Sequence, residues 1–326
     1  MTTKYGIIAD VGGTNARFSI ADPGGYSEST IYQCADFDNF DDVLAQYMRD
    51  SGCAGKIDTA SIAIAGPVMG DEFKMLNLPW AFSCKAVAAK LGLKELHLMN
   101  DFDAVARSIP HLKDADIRQI GNGKPLEKRA IGIIGPGTGL GVASLFWAGT
   151  HYISNPGEGG HVTMAAQTQR EFDIMNVMHK KYRHISAERV CSGKGLENIY
   201  NAIRYYEQRD DLPQRTPAEI SAAAMDGSCD VCKESLDFMI KCLGNVAGNL
   251  ALTLGAYGGI YIAGGIINKL GDYFYQSKFR EHFLDKGRLN EYLDPIPTFV
   301  VQHQYPAFVG LHADYMALHK EANLKE

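Results

Sequence analysis

The sequence has no GxxxxGK[ST] loop, no GxGxxG between a strand and a helix, and no dense run of Lys and Arg. The first absence excludes a Walker A phosphate loop, and the second excludes a dinucleotide fingerprint. Gly135, Gly137, Gly139 and Gly141 are spaced by twos, and the residues after them read as strand. The third absence, with a net charge of -6, argues against a nucleic-acid partner, which would be met by a basic stripe. The seven cysteines, at 34, 53, 84, 191, 229, 232 and 242, are odd in number and irregular in spacing. That suits reduced thiols in the cytoplasm better than a disulfide framework. Cys229 and Cys232 form a CxxC, but no second pair completes a four-cysteine zinc site. No secretory leader is read, since MTTK runs directly into YGIIADV. Charge is missing altogether between Lys241 and Lys269, a length that can span a bilayer. Seven glycines, Asn245, Asn249 and Thr253 interrupt that stretch, so it reads as a buried helix, a turn and a buried strand. No membrane partner is expected.

What is present is an ordinary globular composition, 46% hydrophobic and 21% charged, with length enough for two domains. Residues 6–17 (GIIADVGGTNAR) are echoed by 132–143 (GIIGPGTGLGVA). Each begins as a β-branched strand, turns through Gly and Thr, and re-emerges as strand, the pattern of a β-hairpin. Two such hairpins suggest two related α/β domains. Between them lie an edge-like segment STIYQCADF, a helix FDDVLAQYMRDSG with Phe40, Val43, Leu44 and Tyr47 at helical spacing, and a buried strand TASIAIAG. A helix from the N-cap Ser83 to Gly92 follows, then the strand ELHLMN. The second half continues with the loop SNPGEGGHV, a mostly helical middle that includes HISAERVCSGKGLENIYNAI, and a long helix SLDFMIKCLGNVAGNLALTL ending near Gly255. The strand GIYIAGG and the helix INKLGDYFYQ come next, and the tail from Gly310 is helical in pattern. We expect a small domain of 1–110, on which a C-terminal helix of about 302–326 packs back, and a large domain of 111–301.

Asp10-Val-Gly-Gly-Thr-Asn15 places glycines where backbone N–H groups can approach an anion. Asp10 is positioned to hold Mg²⁺ directly or through water. The same residues also read as a plain type I′ turn, which needs two positive φ angles. Asn100-Asp101 sits at a strand's C-terminal end, the usual place for ligands in open α/β sheets. There a carboxylate can accept a hydroxyl proton, or an Asp can cap the helix that follows. The loop Pro156-Gly-Glu158-Gly-Gly-His161 carries an acid and an imidazole suited to sugar hydroxyls. Glu188, taken alone, reads as a helix-surface charge.

DVGGTNAR, ASIAIAGPV, LMNDF, GPGTGLGVA, NPGEGGHV, HISAERVCSGKGL and YIAGG occur in one order along the chain. In that order and over essentially the whole length the sequence resembles bacterial glucokinases, of the hexokinase–actin–Hsp70 superfamily. The resemblance implies an α/β fold of two duplicated actin/ribonuclease H-like domains around an ATP cleft. It also implies ATP and Mg²⁺ as cofactors, glucose as acceptor at its 6-hydroxyl, and a homodimer. By resemblance Asp101 matches the catalytic base, and Asn100, Glu158, His161 and Glu188 match the hexose ligands. Asp10, Gly12, Gly13, Thr14 and Asn15 match the first phosphate loop, Gly137, Thr138 and Gly139 the second, and Gly264 and Gly265 the adenosine side. Related ROK sugar kinases carry a cysteine-rich zinc motif after the equivalent of His161. Here HVTMAAQTQREF has no cysteine, so no zinc is expected. A kinase for another hexose and a sugar-independent ATPase of the same superfamily are the alternatives. With nine residues before Asp10, a helix-turn-helix regulator of this fold is not expected.

Overall fold

A computed structural model describes residues 5–75 and 77–324, with side chains through His319. The chain divides into two units, one of 1–113 with 303–326 and one of 114–302.

In the first unit, β1 (Tyr5–Val11) and β2 (Asn15–Asp22) form the first hairpin, followed by β3 (Gly25–Tyr26) and β4 (Thr30–Gln33). Helix α1 (Phe40–Asp50), β5 (Ile57–Ile64), the short pair β6 (Glu72–Lys74) and β7 (Ala81–Ser83), α2 (Cys84–Leu91), β8 (Glu95–Asn100) and α3 (Asp101–Ser108) complete it. The sheet order is β3-β2-β1-β5-β8, with β1, β5 and β8 parallel and β4 on β2. Ile7, Ile8, Ala9 and Val11 are all fully buried, the continuous apolar run of a strand covered on both faces. One face packs on α1 through Phe40, Val43, Leu44 and Tyr47. The ends of α2 are set by its own sequence. Ser83 Oγ accepts the Ala86 N–H at 3.1 Å, and Gly92 closes the helix at φ 72°.

The other face meets the helix Pro306–Leu324, whose Phe308, Leu311 and Tyr315 join Ile8, Ala21, Met99 and Ala104 in one core. Gly310 lets this helix lie against α3, since a Cβ there would overlap the Ala104 carbonyl. Asp314, also buried, accepts from Ser61 Oγ at 2.6 Å and Arg107 at 3.2 Å, and pairs with His97 Nδ1 at 2.6 Å.

The second unit contains β9 (Ile117–Ile120), the hairpin of β10 (Ile131–Pro136) and β11 (Leu140–Trp147), and β12 (Tyr152–Gly157). Helices α4 (Gln169–His179), α5 (Gly193–Tyr206), α6 (Pro217–Met225) and α7 (Asp230–Leu254) precede β13 (Ile260–Ile262), α8 (Gly265–Leu270) and β14 (Thr298–Val301). The sheet order is β12-β11-β10-β13-β14-β9. An antiparallel hairpin followed by two parallel neighbours thus recurs as β2-β1-β5-β8 and β11-β10-β13-β14. The echo in the sequence is an echo in topology.

Three expected helices differ in extent. The stretch 184–192 is not helical, because its backbone is spent on a neighbour. Met164 N–H donates to Ile185 O and Ala187 N–H to Val162 O, both at 2.9 Å. Helix α5 then starts at its cap Ser192, whose Oγ accepts the Gly195 N–H. Helix α7 starts at Asp230 instead of Ser235, capped by the Cys229 sulfur facing the Cys232 N–H at 3.4 Å. INKLGDYFYQ breaks at Gly271 (φ 51°) into α8 and a separate turn of helix, Asp272–Tyr275. All seven cysteines are buried and free. Among the described residues no helix is long and apolar enough to cross a membrane.

Candidate functional site

The first set of site residues lies at the C-terminal ends of β1 and β8. Gly12 N–H donates to Asn15 O at 2.9 Å, closing the β1–β2 turn. Neither Gly12 nor Gly13 takes a positive φ, so the turn is not type I′. Glycine serves a different end there: the Cβ position of Gly13 already lies 3.3 Å from Asn77. Cys34 steadies the tip, its N–H donating to Thr14 O at 2.8 Å and its thiol to Gly12 O at 3.4 Å. Thr14 is exposed, and Asn15 Oδ1 accepts from Gln33 at 2.7 Å.

Asp10 is level with Ala63 on β5, and Ala63 with Met99 on β8. Asp101 therefore lies two residues further along, two strands away, which is roughly 10 Å across the sheet. The two carboxylates sense each other. Burial pushes the Asp10 carboxyl up to about 6, the charge of Asp101 adds to the rise, and Arg17 opposes it. Arg17 is the cross-strand partner of Asp10, with 3.8 Å between its guanidinium and Asp10 Oδ2.

Both Asn100 and Asp101 are good capping residues, and the structure separates them. Asn100 is the N-cap of α3, its Oδ1 accepting from the N–H groups of Phe102 (2.8 Å) and Asp103 (3.2 Å). Its Nδ2 donates to Gly66 O at 3.0 Å. Asp101 occupies the first helical position, and its Oδ1 shares the Phe102 N–H at 2.8 Å.

The second set is held together within the other unit. The β10–β11 turn closes by Gly137 N–H to Gly139 O at 2.8 Å, with Thr138 exposed at its tip. Gly193 N–H, at the start of α5, donates to Gly137 O at 2.9 Å. Gly264 packs on β10 at φ 108°, where a Cβ would come 2.6 Å from Pro136 O, and Gly265 opens α8. Glu158 and His161 are exposed, 4.0 Å apart, on either side of Gly159-Gly160.

Glu188 is not the helix-surface charge that its sequence neighbourhood suggests. Its N–H donates to Gly160 O at 2.8 Å, and its Oε2 accepts the Leu140 N–H at 3.1 Å. The same carboxylate fills the place a side chain at Gly139 would need. Gly137–Leu140, Glu158–His161 and Glu188 thus form one connected group, although they are scattered along the chain. Three participants were not singled out from sequence: Arg17, Gly66 and Ser192, whose Oγ donates to Glu188 O at 2.7 Å. Arg17 was within reach, since a turn closing Gly12 onto Asn15 sets residue 10 opposite residue 17. Ser192 was within reach as the cap of α5, whereas Gly66 acts through a contact that no local pattern encodes.

A family model described as Glucokinase matches residues 7–318. The chain is 45% identical over 308 residues to a glucokinase of Aromatoleum aromaticum, covering 93% of this chain and 92% of that protein. Among solved structures it resembles a glucokinase from an Antarctic psychrotroph, with a TM-score of 0.85 at 30% identity over 95% of this chain and 98% of that one. A ROK family glucokinase from Streptomyces griseus, solved with glucose and AMPPNP, shares the fold at a TM-score of 0.65 and 17% identity, covering 95% and 98%.

Proposed function

We propose, since the chain belongs to the glucokinase family, that it transfers the γ-phosphoryl group of ATP to the 6-hydroxyl of glucose with Asp101 as general base. The capping of α3 carries the assignment. Asn100 is the cap, and Asp101 stands beside it at the first helical position, its Oδ1 sharing the Phe102 N–H. A carboxylate at the first position of a helix interacts favourably with the partial positive charge of the N-terminus. Asp101 accepts the hydroxyl proton as the sugar oxygen bonds to the γ-phosphorus. The bond from that phosphorus to its bridging oxygen breaks, and ADP leaves.

Phosphoryl transfer asks the protein mainly for positioning and charge stabilisation. Asn100, with its oxygen and one N–H engaged, has a single N–H left for the sugar and so acts as a donor. Glu158, His161 and Glu188 are the remaining hexose ligands in this reading. In the Gly12–Asn15 and Gly137–Gly139 turns, the N–H groups left over by the closing bonds of Gly12 and Gly137 meet the phosphates, and Gly264 and Gly265 flank the adenosine. Asp10 fits a magnesium site, because a carboxyl raised by burial and by a second carboxylate is relieved by a cation. Magnesium takes one or two carboxylates and keeps much of its water. Bound at Asp10, the ion would supply charge neutralisation for the phosphates. Zinc has no part in this reading. The seven buried free thiols support a cytoplasmic setting, and the active form we propose is a homodimer.

ADP release with MgATP and a panel of hexoses tests the reaction. Fast release with glucose, slow release with its epimers and almost none without sugar is expected. Preference for another hexose would keep the chemistry and change the acceptor, and sugar-independent release would refute the kinase reading.

A further inference from the structure

We infer that Glu188 couples the two substrates: one oxygen of its carboxylate holds the second phosphate hairpin while the other receives a sugar hydroxyl. This rests on the reading of Glu188 as a hexose ligand. Oε2 is committed to the Leu140 N–H, the first residue of β11 beyond the Gly137–Gly139 turn. Oε1 carries no hydrogen bond among the described residues. The carboxylate cannot drift, because the backbone beneath it is tied twice. Glu188 N–H is held by Gly160 O, and Glu188 O by Ser192 Oγ, the cap of α5. Gly139 has no side chain to push it aside, and a methyl group there would overlap Oε2.

The arrangement sets a negative charge against a turn built to receive a polyphosphate. Like charges at short range in a partly buried site repel appreciably. A sugar hydroxyl donating to Oε1 forms a charge-assisted hydrogen bond and draws off part of that charge. The hairpin then presents its N–H groups to the nucleotide with less opposition. With the sugar absent, the same carboxylate disfavours ATP, and with it futile transfer to water. Glu188 acts here as a positioning residue, through the backbone of Gly139 and Leu140.

The test is titration calorimetry of the full chain with the MgAMPPNP complex, with and without saturating glucose. In the wild type, glucose tightens AMPPNP binding by about fivefold or more, the usual size of a site-to-site coupling. Glu188→Gln keeps the shape and an oxygen for Leu140 but removes the charge. Without any sugar it is expected to bind AMPPNP about as tightly as the wild type does with glucose. Gly139→Ala displaces the carboxylate and is expected to bring the coupling below about twofold. A Glu188→Gln chain that, without sugar, binds AMPPNP no tighter than the wild type would overturn the proposal. A wild type that phosphorylates glucose while its AMPPNP affinity ignores glucose would overturn it too, leaving the kinase reading intact. A wild type that binds no glucose would overturn both.

Discussion

If Asp101 is the general base, replacing it by Ala is expected to separate catalysis from folding, because the helix that Asp101 begins is capped by its neighbour. Loss of a general base costs about 10²–10⁴ in rate, or roughly 3–5 kcal/mol of transition-state stabilisation. The cost to stability is small by comparison. A carboxylate in the first turn contributes about 0.3–1 kcal/mol through the helix dipole. Asp101 also raises the Asp10 carboxyl, so its removal relieves a repulsion that offsets part of that loss. Asn100→Ala behaves in the opposite way. It removes a cap worth about 0.5–2 kcal/mol and strips the Gly66 carbonyl of its donor. Turnover in the coupled ADP assay, beside melting curves for both variants, distinguishes the two roles. Asp101→Ala is expected to melt close to the wild type with kcat down at least about a hundredfold, and Asn100→Ala to melt clearly lower. If Asp101→Ala turns over within about tenfold of the wild type, the base lies elsewhere. If it melts as low as Asn100→Ala, Asp101 is structural.

Asp314→Ala breaks a buried cluster, leaving Ser61 and the half-exposed Arg107 and His97 without their acceptor; a loss of about 1–3 kcal/mol is expected, read by urea unfolding. The same cluster gives a pH signature. Hydrogen bonding to Asp314 raises His97, so its contribution is full below about 6.5 and lost as pH rises through the raised value. Asp314, although burial alone would raise it, is held low by His97, Ser61 and Arg107. Its contribution is therefore full above about 3.9 and lost as pH falls through the lowered value. Melting temperatures should decline as pH rises above about 6.5, and His97→Ala should flatten that limb. Activity should survive a zinc-selective chelator, disappear with EDTA and return with Mg²⁺; loss on zinc chelation alone would contradict the zinc-free reading.

Much of this was legible in the residues themselves. Ser83 and Gly92 mark both ends of α2 because cap and stop are local chemistry. The paired hairpins could be read because strand-turn-strand is a short-range pattern. Glu188 could not, since Ala187, Val190 and Cys191 mimic a helical stripe while their burial serves contacts with residue 162 and the core. Nor could sequence choose between Asn100 and Asp101 as cap, because both side chains suit the position. That choice falls to the Gly66 carbonyl, which takes the Asn100 amide from just beyond the end of β5, the neighbouring strand.

The helix Pro306–Leu324 has a consequence for the order in which the protein is made. It completes the first unit, yet roughly 190 residues of the second unit are synthesised between the two parts. At about 5–20 residues per second, that interval lasts on the order of 10–40 s. Until Phe308, Leu311 and Tyr315 leave the ribosome, Ile8, Ala21 and Met99 lack the helix that completes the cover on their side of the sheet. The second unit is continuous and can mature first. The half that carries Asp101 is the last to become whole, and until then that face of its sheet is only partly covered.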